Sequence, residues 1–190
     1  METIVLASAS PRRRELLTRA GIPFDLSAAE VDERCDAPAS SAVRILSARK
    51  AAAVRGICPG RYILAADTLV ELDGKTLGKP ASPEEAAAML RRLSGHTHQV
   101  YTGVTVISPA GDVFTDSDRS DVTFGEVTDA EIASYVRSGE PMDKAGAYAL
   151  QGRASLWVSR IEGSWSSVIG LPLYLVRSLL IRAGYPLIPG

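Results

Sequence analysis

The sequence predicts an α/β domain. Apolar strand-like runs alternate with amphipathic helical ones along the whole chain, and two long alternating runs between Gln99 and Phe124 have the pattern of neighbouring antiparallel strands. Size agrees: 190 residues, 46% of them hydrophobic, suffice for one well-packed domain lobed around a cleft and rule out disorder for the bulk of the chain.

The elements follow in order. Ile4 to Ala7 is an apolar run read as the first strand. Ser10 is a favoured N-cap, and Pro11 has its φ preset and no N–H to leave unpaired, so a helix is expected to begin at Pro11 and to close near Gly21. Pro23 to Ser27 reads as a short extended segment. Val43, Leu46 and Ala51 to Ala53 recur at helical spacing, which predicts a second helix over Ser41 to Val54 with Lys50 near one edge of the packed face. Tyr62 to Ala66 is a buried strand expected to end at Asp67, and Asp73-Gly74 is a hairpin turn leading into a second arm, Thr76 to Lys79. Ser82-Pro83-Glu84-Glu85 has the pattern of a capping box opening a helix that closes at Gly95, and Thr128 to Glu131 repeats it for a helix to about Ser138. Pro109 to Asp112 is the turn between the two long strands. Asp143 to Gly152 is small-residue-rich and irregular, Leu156 to Ile161 a further strand, and Leu171 to Ala183 the final helix. Gly184 to Gly190, with two prolines, reads as a poorly anchored end.

Composition narrows the function. With 21 basic and 22 acidic residues the net charge of −1 offers no general attraction to nucleic acid or to an anionic membrane, so any anion preference must be local. No uncharged run of about 18 residues could span a bilayer and no apolar leader follows a basic start, which predicts a cytoplasmic protein. Cys35 and Cys58 lie far apart and suit neither a disulfide framework nor a thiolate metal site.

The anion preference has a candidate address. Arg12, Arg13 and Arg14 occupy a helix first turn, where unpaired N–H groups and the positive end of the dipole make each cation unfavourable by roughly 0.3–1 kcal/mol. A phosphate would reverse that cost: amides and guanidinium forks both match its oxygens, and the hydroxyls of Ser8 and Ser10 can add bonds. The competing reading is a solvated basic turn with Glu15 pairing locally. Asp67 is the leading catalytic candidate, because open α/β sheets place ligand-binding groups at strand ends; the alternative is a turn or cap carboxylate. Thr68 follows it, and both side chains can reach one ligand only if the strand ends or bulges there. Lys79 precedes Pro80, which holds its backbone extended and could aim a cation, against the reading of a surface lysine; Lys50 carries the same ambiguity. Glu33, beside Asp32, could help hold Mg²⁺ or Mn²⁺, or belong to an acidic loop. His96 and His98 have zinc-like spacing but lack a third ligand. Gly74-Lys75-Thr76 imitates the end of a phosphate-binding loop, yet Leu69 stands where its first glycine should be.

Together, Ser8 to Arg13, Ala66-Asp67-Thr68, Gly78-Lys79-Pro80, Leu93-Ser94-Gly95, Asp143 to Tyr148, Gln151-Gly152 and Gly170-Leu171-Pro172 resemble the Maf family of nucleoside triphosphate pyrophosphatases, over nearly the whole chain. Asp67-Thr68, His98 to Gly103 and Gln151 look most like its dTTP/UTP branch, with the 7-methyl-GTP branch as the main rival. The resemblance implies a mixed central β-sheet flanked by helices, two-lobed with a cleft (Maf/ITPase-like), and a homodimer. It also implies hydrolysis between the α- and β-phosphates of a nucleoside triphosphate with a divalent cation, Mg²⁺, Mn²⁺ or Co²⁺. Asp67 matches the family's proton acceptor; Arg12, Thr68 and Gln151 match positions tied to substrate choice; Glu33, Lys50 and Lys79 match positions for metal and phosphate handling. A nucleotide sensor without turnover and a nucleic-acid-binding protein using the three arginines are the readings from other classes.

Overall fold

A computed structural model describes residues 2–187. Its strands are β1 (Ile4–Leu6), β2 (Phe24–Leu26), β3 (Ile63–Leu72), β4 (Lys75–Leu77), β5 (Thr97–Ile107), β6 (Val113–Phe124) and β7 (Val158–Glu162). They form one sheet in the order β2-β1-β3-β5-β6-β7, with β4 paired to β3. The sheet is mixed: β1 runs parallel to both β2 and β3, whereas β4 is antiparallel to β3 and β7 to β6. Helices α1 (Pro11–Arg19), α2 (Ala39–Ile57), α3 (Pro83–Leu93), α4 (Asp129–Arg137), α5 (Trp165–Ile169) and α6 (Leu173–Arg182) flank it.

The chain divides into two compact units. The first holds the described residues up to Asp67, Thr102–Asp118 and those from Gly170 onward; the second holds Thr68–Tyr101 and Arg119–Ile169. In the first, Val5, Ala7, Ile63 and Ala65 pack with Ala51 and Val54 of α2; of the stripe expected from spacing, Val43, Leu46 and Ala51 are buried, while Ala52 is exposed and Ala53 half-buried. In the second, Leu90 and Leu93 of α3 and Ile132 and Tyr135 of α4 share a core with Phe124 and Tyr148.

Helix ends follow local chemistry with some departures. At α4 the capping box is complete: Thr128 accepts from the Glu131 N–H and Glu131 accepts from the Thr128 N–H. At α3 it is half made, because Ser82 accepts from Glu85 N–H at 3.2 Å while the Glu85 carboxylate takes the Ala81 N–H at 2.7 Å. At α1 Ser10 stands at the N-cap but its hydroxyl makes no capping bond. Pro38 opens α2 two residues earlier than predicted, and the helix runs on to Ile57, closed by the Cys58 N–H on the Val54 carbonyl at 2.9 Å.

Four expectations are corrected. β3 does not end at Asp67 but continues through Thr68 to Leu72. After Thr68 the pattern changes from fully apolar to alternating, with Val70 and Leu72 buried and Glu71 between them, the mark of a half-buried hairpin arm rather than a strand end. That arm turns at Asp73-Gly74, both with positive φ (51° and 71°), and pairs Leu72 with Lys75. α6 starts at Leu173, and a five-residue helix, α5, precedes it that no periodicity announced, since one turn is too short to carry one. β7 starts at Val158, after a 3₁₀ turn over Arg153–Trp157. The tail is anchored as far as Tyr185, which is buried, meets Tyr62 edge-on at 5.2 Å and donates its hydroxyl to the Glu2 carbonyl at 2.5 Å; residues 188–190 of that segment lie outside the described residues. The small-residue stretch after Asp143 is irregular as expected, built on 3₁₀ turns at Glu140–Asp143 and Ala145–Ala147.

Candidate active site

The first unit brings five of the candidate residues into two linked groups. The loop after β1 delivers Ser8, which is buried and accepts both the Ser10 N–H (3.2 Å) and Arg13 Nη1 (3.0 Å). Arg13 also donates from Nε to the Gly170 carbonyl at 2.8 Å. Its guanidinium plane is thereby set, so that a first-turn arginine points inward instead of trailing in solvent. Burial lowers the Arg13 pKa; the negative charge of Asp67 opposes this, Arg12 adds to the lowering and Glu33 opposes it in turn. Arginine stays protonated despite such a shift, so the site keeps its cation. The local pairing of Glu15 in the solvated-turn reading is seen with Arg19, at 2.6 Å on the exposed side of α1.

The second group joins three elements. Lys50, on α2, places Nζ 2.5 Å from Asp67 Oδ1 on β3 and 2.7 Å from Glu33 Oε1 in the loop before α2. The Lys50 and Asp67 side chains are 16% and 10% exposed, Glu33 54%. A buried aspartate in the middle of a strand is costly unless paired, and the lysine at the edge of the packed face of α2 supplies the pairing. Arg13, Lys50, Asp67 and Glu33 make a charge-balanced cluster, with Arg12 on the turn that begins α1.

Two carboxylates converging on one cationic centre are the donor set a hard divalent cation takes, with water and phosphate oxygens completing its shell. Among the described residues there is no group of three or more His, Cys, Asp or Glu that could hold a metal by itself. Glu33 and Asp67 are the two carboxylates here that could contribute to such a shell, the rest of it coming from water or a polyphosphate.

The remaining candidates lie in the second unit. Thr68 follows Asp67 on a strand that does not end there, so simple alternation sends the two side chains to opposite faces. Lys79 is exposed in the segment after β4, and Gly78 there accepts the Gly146 N–H at 3.1 Å, which ties the Gly78-Lys79-Pro80 string to the Asp143–Tyr148 string. Gln151 is exposed at the tip of a turn closed by Gly152 N–H on the Ala149 carbonyl at 3.1 Å. His98 is buried with Nε2 2.8 Å from the Tyr148 hydroxyl; burial lowers its pKa to about 4, partly offset by Asp121, so it is a neutral core residue at pH 7.

The model of the family described as Maf-like protein matches residues 3–183. The chain belongs to the Maf-like protein family. The dTTP/UTP pyrophosphatase of Moorella thermoacetica is 49% identical to this Maf-like chain, covering 97% of it and 96% of its own length. That of Geobacillus sp. is 48% identical over 97% of this chain and all of the relative, and that of Myxococcus xanthus 50% identical over 97% and 94%. Among solved structures, the Ham1 protein of Staphylococcus aureus overlaps 65% of this chain and 72% of its own at a TM-score of 0.48 and 14% identity.

Sequence reading of the Maf-like chain missed the hold of Arg13 on Gly170, whose partner is 157 residues away, and the tie between Gly78 and Gly146. The only signal for either was that each glycine stood in a string quoted for the resemblance. Tyr135 and Glu140, which grip the turn bearing Gln151, had no signal beyond their place after the α4 capping box.

Proposed function

We infer that this protein hydrolyses dTTP and UTP to the nucleoside monophosphate and pyrophosphate. The observation that carries the reading is Asp67, held 2.5 Å from Lys50 Nζ and electrostatically coupled to Arg13 within one unit, so that a carboxylate base and a cationic phosphate cradle belong to one site. Its support from outside the structure is the printed activity of relatives about half identical over nearly the whole chain.

Ser8, Arg13 and the amides opening α1 bind triphosphate oxygens, with Arg12 adding charge. Asp67 accepts a proton from water as its oxygen forms a bond to the α-phosphorus; the bond from that phosphorus to the bridging oxygen breaks, pyrophosphate leaves with the electron pair, and Asp67 returns its proton to solvent. Lys50 holds the Asp67 carboxylate in place until substrate arrives. Glu33 and Asp67 are the carboxylates that would hold a divalent cation, which would supply charge neutralisation to the polyphosphate. Lys79 adds phosphate contact, while Gln151 selects the base, its amide offering both the donor and the acceptor that a pyrimidine edge requires; Thr68, sent to the opposite face of β3 from Asp67, takes no part in that selection. The reading places the enzyme in the cytoplasm as a homodimer acting on free nucleotides; no helix among the described residues is long and apolar enough to cross a membrane.

Pyrophosphate release from dTTP, UTP, CTP, purine triphosphates and 7-methyl-GTP, with Mg²⁺, Mn²⁺ or Co²⁺ and with chelator, tests this. Metal-dependent turnover of dTTP and UTP above the others is expected. Preference for 7-methyl-GTP would overturn the branch, and binding without turnover of any nucleotide would overturn the reaction in favour of a sensor.

A further inference from the structure

The turn Ala149–Gly152 is gripped at both ends by side chains outside it. Tyr135, buried on α4, donates its hydroxyl to Glu140 Oε1 at 2.9 Å and accepts the Ala149 N–H at 3.2 Å. At the other end Gly152 lies so close to Glu140 that a Cβ built on it would stand 1.7 Å from Oε1 and 2.5 Å from Cδ. Only glycine fits there without moving the carboxylate.

Glu140 is itself anchored. Its carbonyl accepts Lys144 Nζ at 2.6 Å and its N–H meets Ser138 Oγ at 3.3 Å, in the 3₁₀ turn that follows α4. The Tyr135 ring is fixed edge-on against Trp157 at 5.0 Å. Burial, and next the bond to Glu140, push the Tyr135 pKa up, so the phenol keeps its proton at neutral pH and remains the donor. The Tyr135 phenol oxygen is used both as donor and as acceptor, and a buried group paired in this way rigidifies what it holds. What it holds is the backbone on either side of Leu150 and Gln151.

We propose that Tyr135 and Glu140 are positioning residues for nucleobase selection, holding the Ala149–Gly152 turn so that the Gln151 amide meets the base at a set place and orientation. This rests on the reading of Gln151 as a base-contacting residue given above. Neither residue touches substrate; they act through the turn. A flexible turn would let the Gln151 amide adapt to other base edges, so the grip serves discrimination more than rate.

The test measures kcat and KM for UTP, dTTP, CTP and GTP with the wild-type protein, Tyr135→Phe, Glu140→Gln and Gln151→Ala, with thermal melting of each. Tyr135→Phe keeps the ring and removes both bonds. It is expected to lower the kcat/KM preference for UTP over CTP about 5- to 10-fold through KM, with kcat for UTP within about twofold. Glu140→Gln keeps an acceptor for the phenol and should retain most of the preference. Gly152→Ala, which displaces the carboxylate by a different route, should reproduce the loss. If Gln151→Ala flattens the preference and both Tyr135→Phe and Gly152→Ala leave it at the wild-type value, the positioning role is wrong and the Gln151 reading stands. An equal loss on every nucleotide in Tyr135→Phe would show a merely structural role and overturn the proposal. An unchanged preference in Gln151→Ala would overturn the reading and the proposal with it.

Discussion

Asp67→Asn tests the Asp67 carboxylate as proton acceptor, beside its other duties of holding Lys50 and, with Glu33, a divalent cation. The substitution keeps the size of the side chain and an amide oxygen within reach of Nζ, but removes the charge. Breaking a buried ion pair by deleting one partner costs about 3–5 kcal/mol when the other charge is left uncompensated. Lys50 is not so left, because Glu33 stays 2.7 Å away, although half exposed. The expected loss is about 1–2 kcal/mol, a fall in melting temperature of about 3–6 °C. The catalytic effect is larger. Loss of a general base removes about 10²- to 10⁴-fold in rate, equivalent to about 3–5 kcal/mol of barrier. Nucleotide affinity should move little or tighten, since the balanced cluster of Arg13, Lys50, Asp67 and Glu33 gains a net positive charge toward a polyphosphate. The assay is pyrophosphate release from saturating dTTP with Mg²⁺, alongside dTTP titration calorimetry in chelator and a thermal melt. Turnover within about tenfold of wild type would remove Asp67 from the base role. A dissociation constant rising in step with the loss of rate would refute the charge reasoning and make Asp67 a binding residue.

Other substitutions probe the neighbouring layers. Arg13→Lys cannot make both the Ser8 and the Gly170 bonds, so KM for dTTP should rise about tenfold with a smaller change in kcat; an unaltered KM would show that the set guanidinium plane is irrelevant to phosphate. His98 is held neutral by burial with its pKa lowered to about 4 from 6.5, so the unfolded chain binds the extra proton between those values. Stability from this group is complete above about pH 6.5 and is lost as pH falls toward 4, by about 3 kcal/mol in all. Urea midpoints at pH 7 and pH 4.5 should therefore differ less for His98→Asn than for the wild type, and equal differences would contradict this. Thr128→Ala removes one arm of the α4 capping box and should cost about 1 kcal/mol in urea unfolding, with pyrophosphate release unchanged.

Local chemistry made much of the molecule legible from its sequence. Pro11 after Ser10, the Thr128–Glu131 box, the Asp73-Gly74 turn and the stripe Val43, Leu46, Ala51 each act within a few residues, and each element stands where those short-range preferences place it. The candidate site was legible as a set of residue types, Ser8, Arg13, Glu33, Lys50 and Asp67, because the order and spacing of the strings around them are specific to the family. Where the chain had to decide between local options, tertiary packing decided. Asp67 looked like a strand end because the apolar run Tyr62 to Ala66 stops at it; it stands mid-strand, its buried carboxylate paired with Lys50, 17 residues earlier on α2. Ser10 stands at the N-cap of α1 as expected but its hydroxyl makes no capping bond, while Ser8 accepts the Ser10 N–H and Arg13 Nη1, an arginine that also reaches Gly170. The tail looked loose because two prolines follow Tyr185, whose ring finds Tyr62 and whose hydroxyl finds Glu2 only once the chain has closed on itself. Charge compensation, inward-turned arginines and the grip of Tyr135 and Glu140 on the Gln151 turn depend on partners distant in sequence or on backbone approach, and no local preference encodes those.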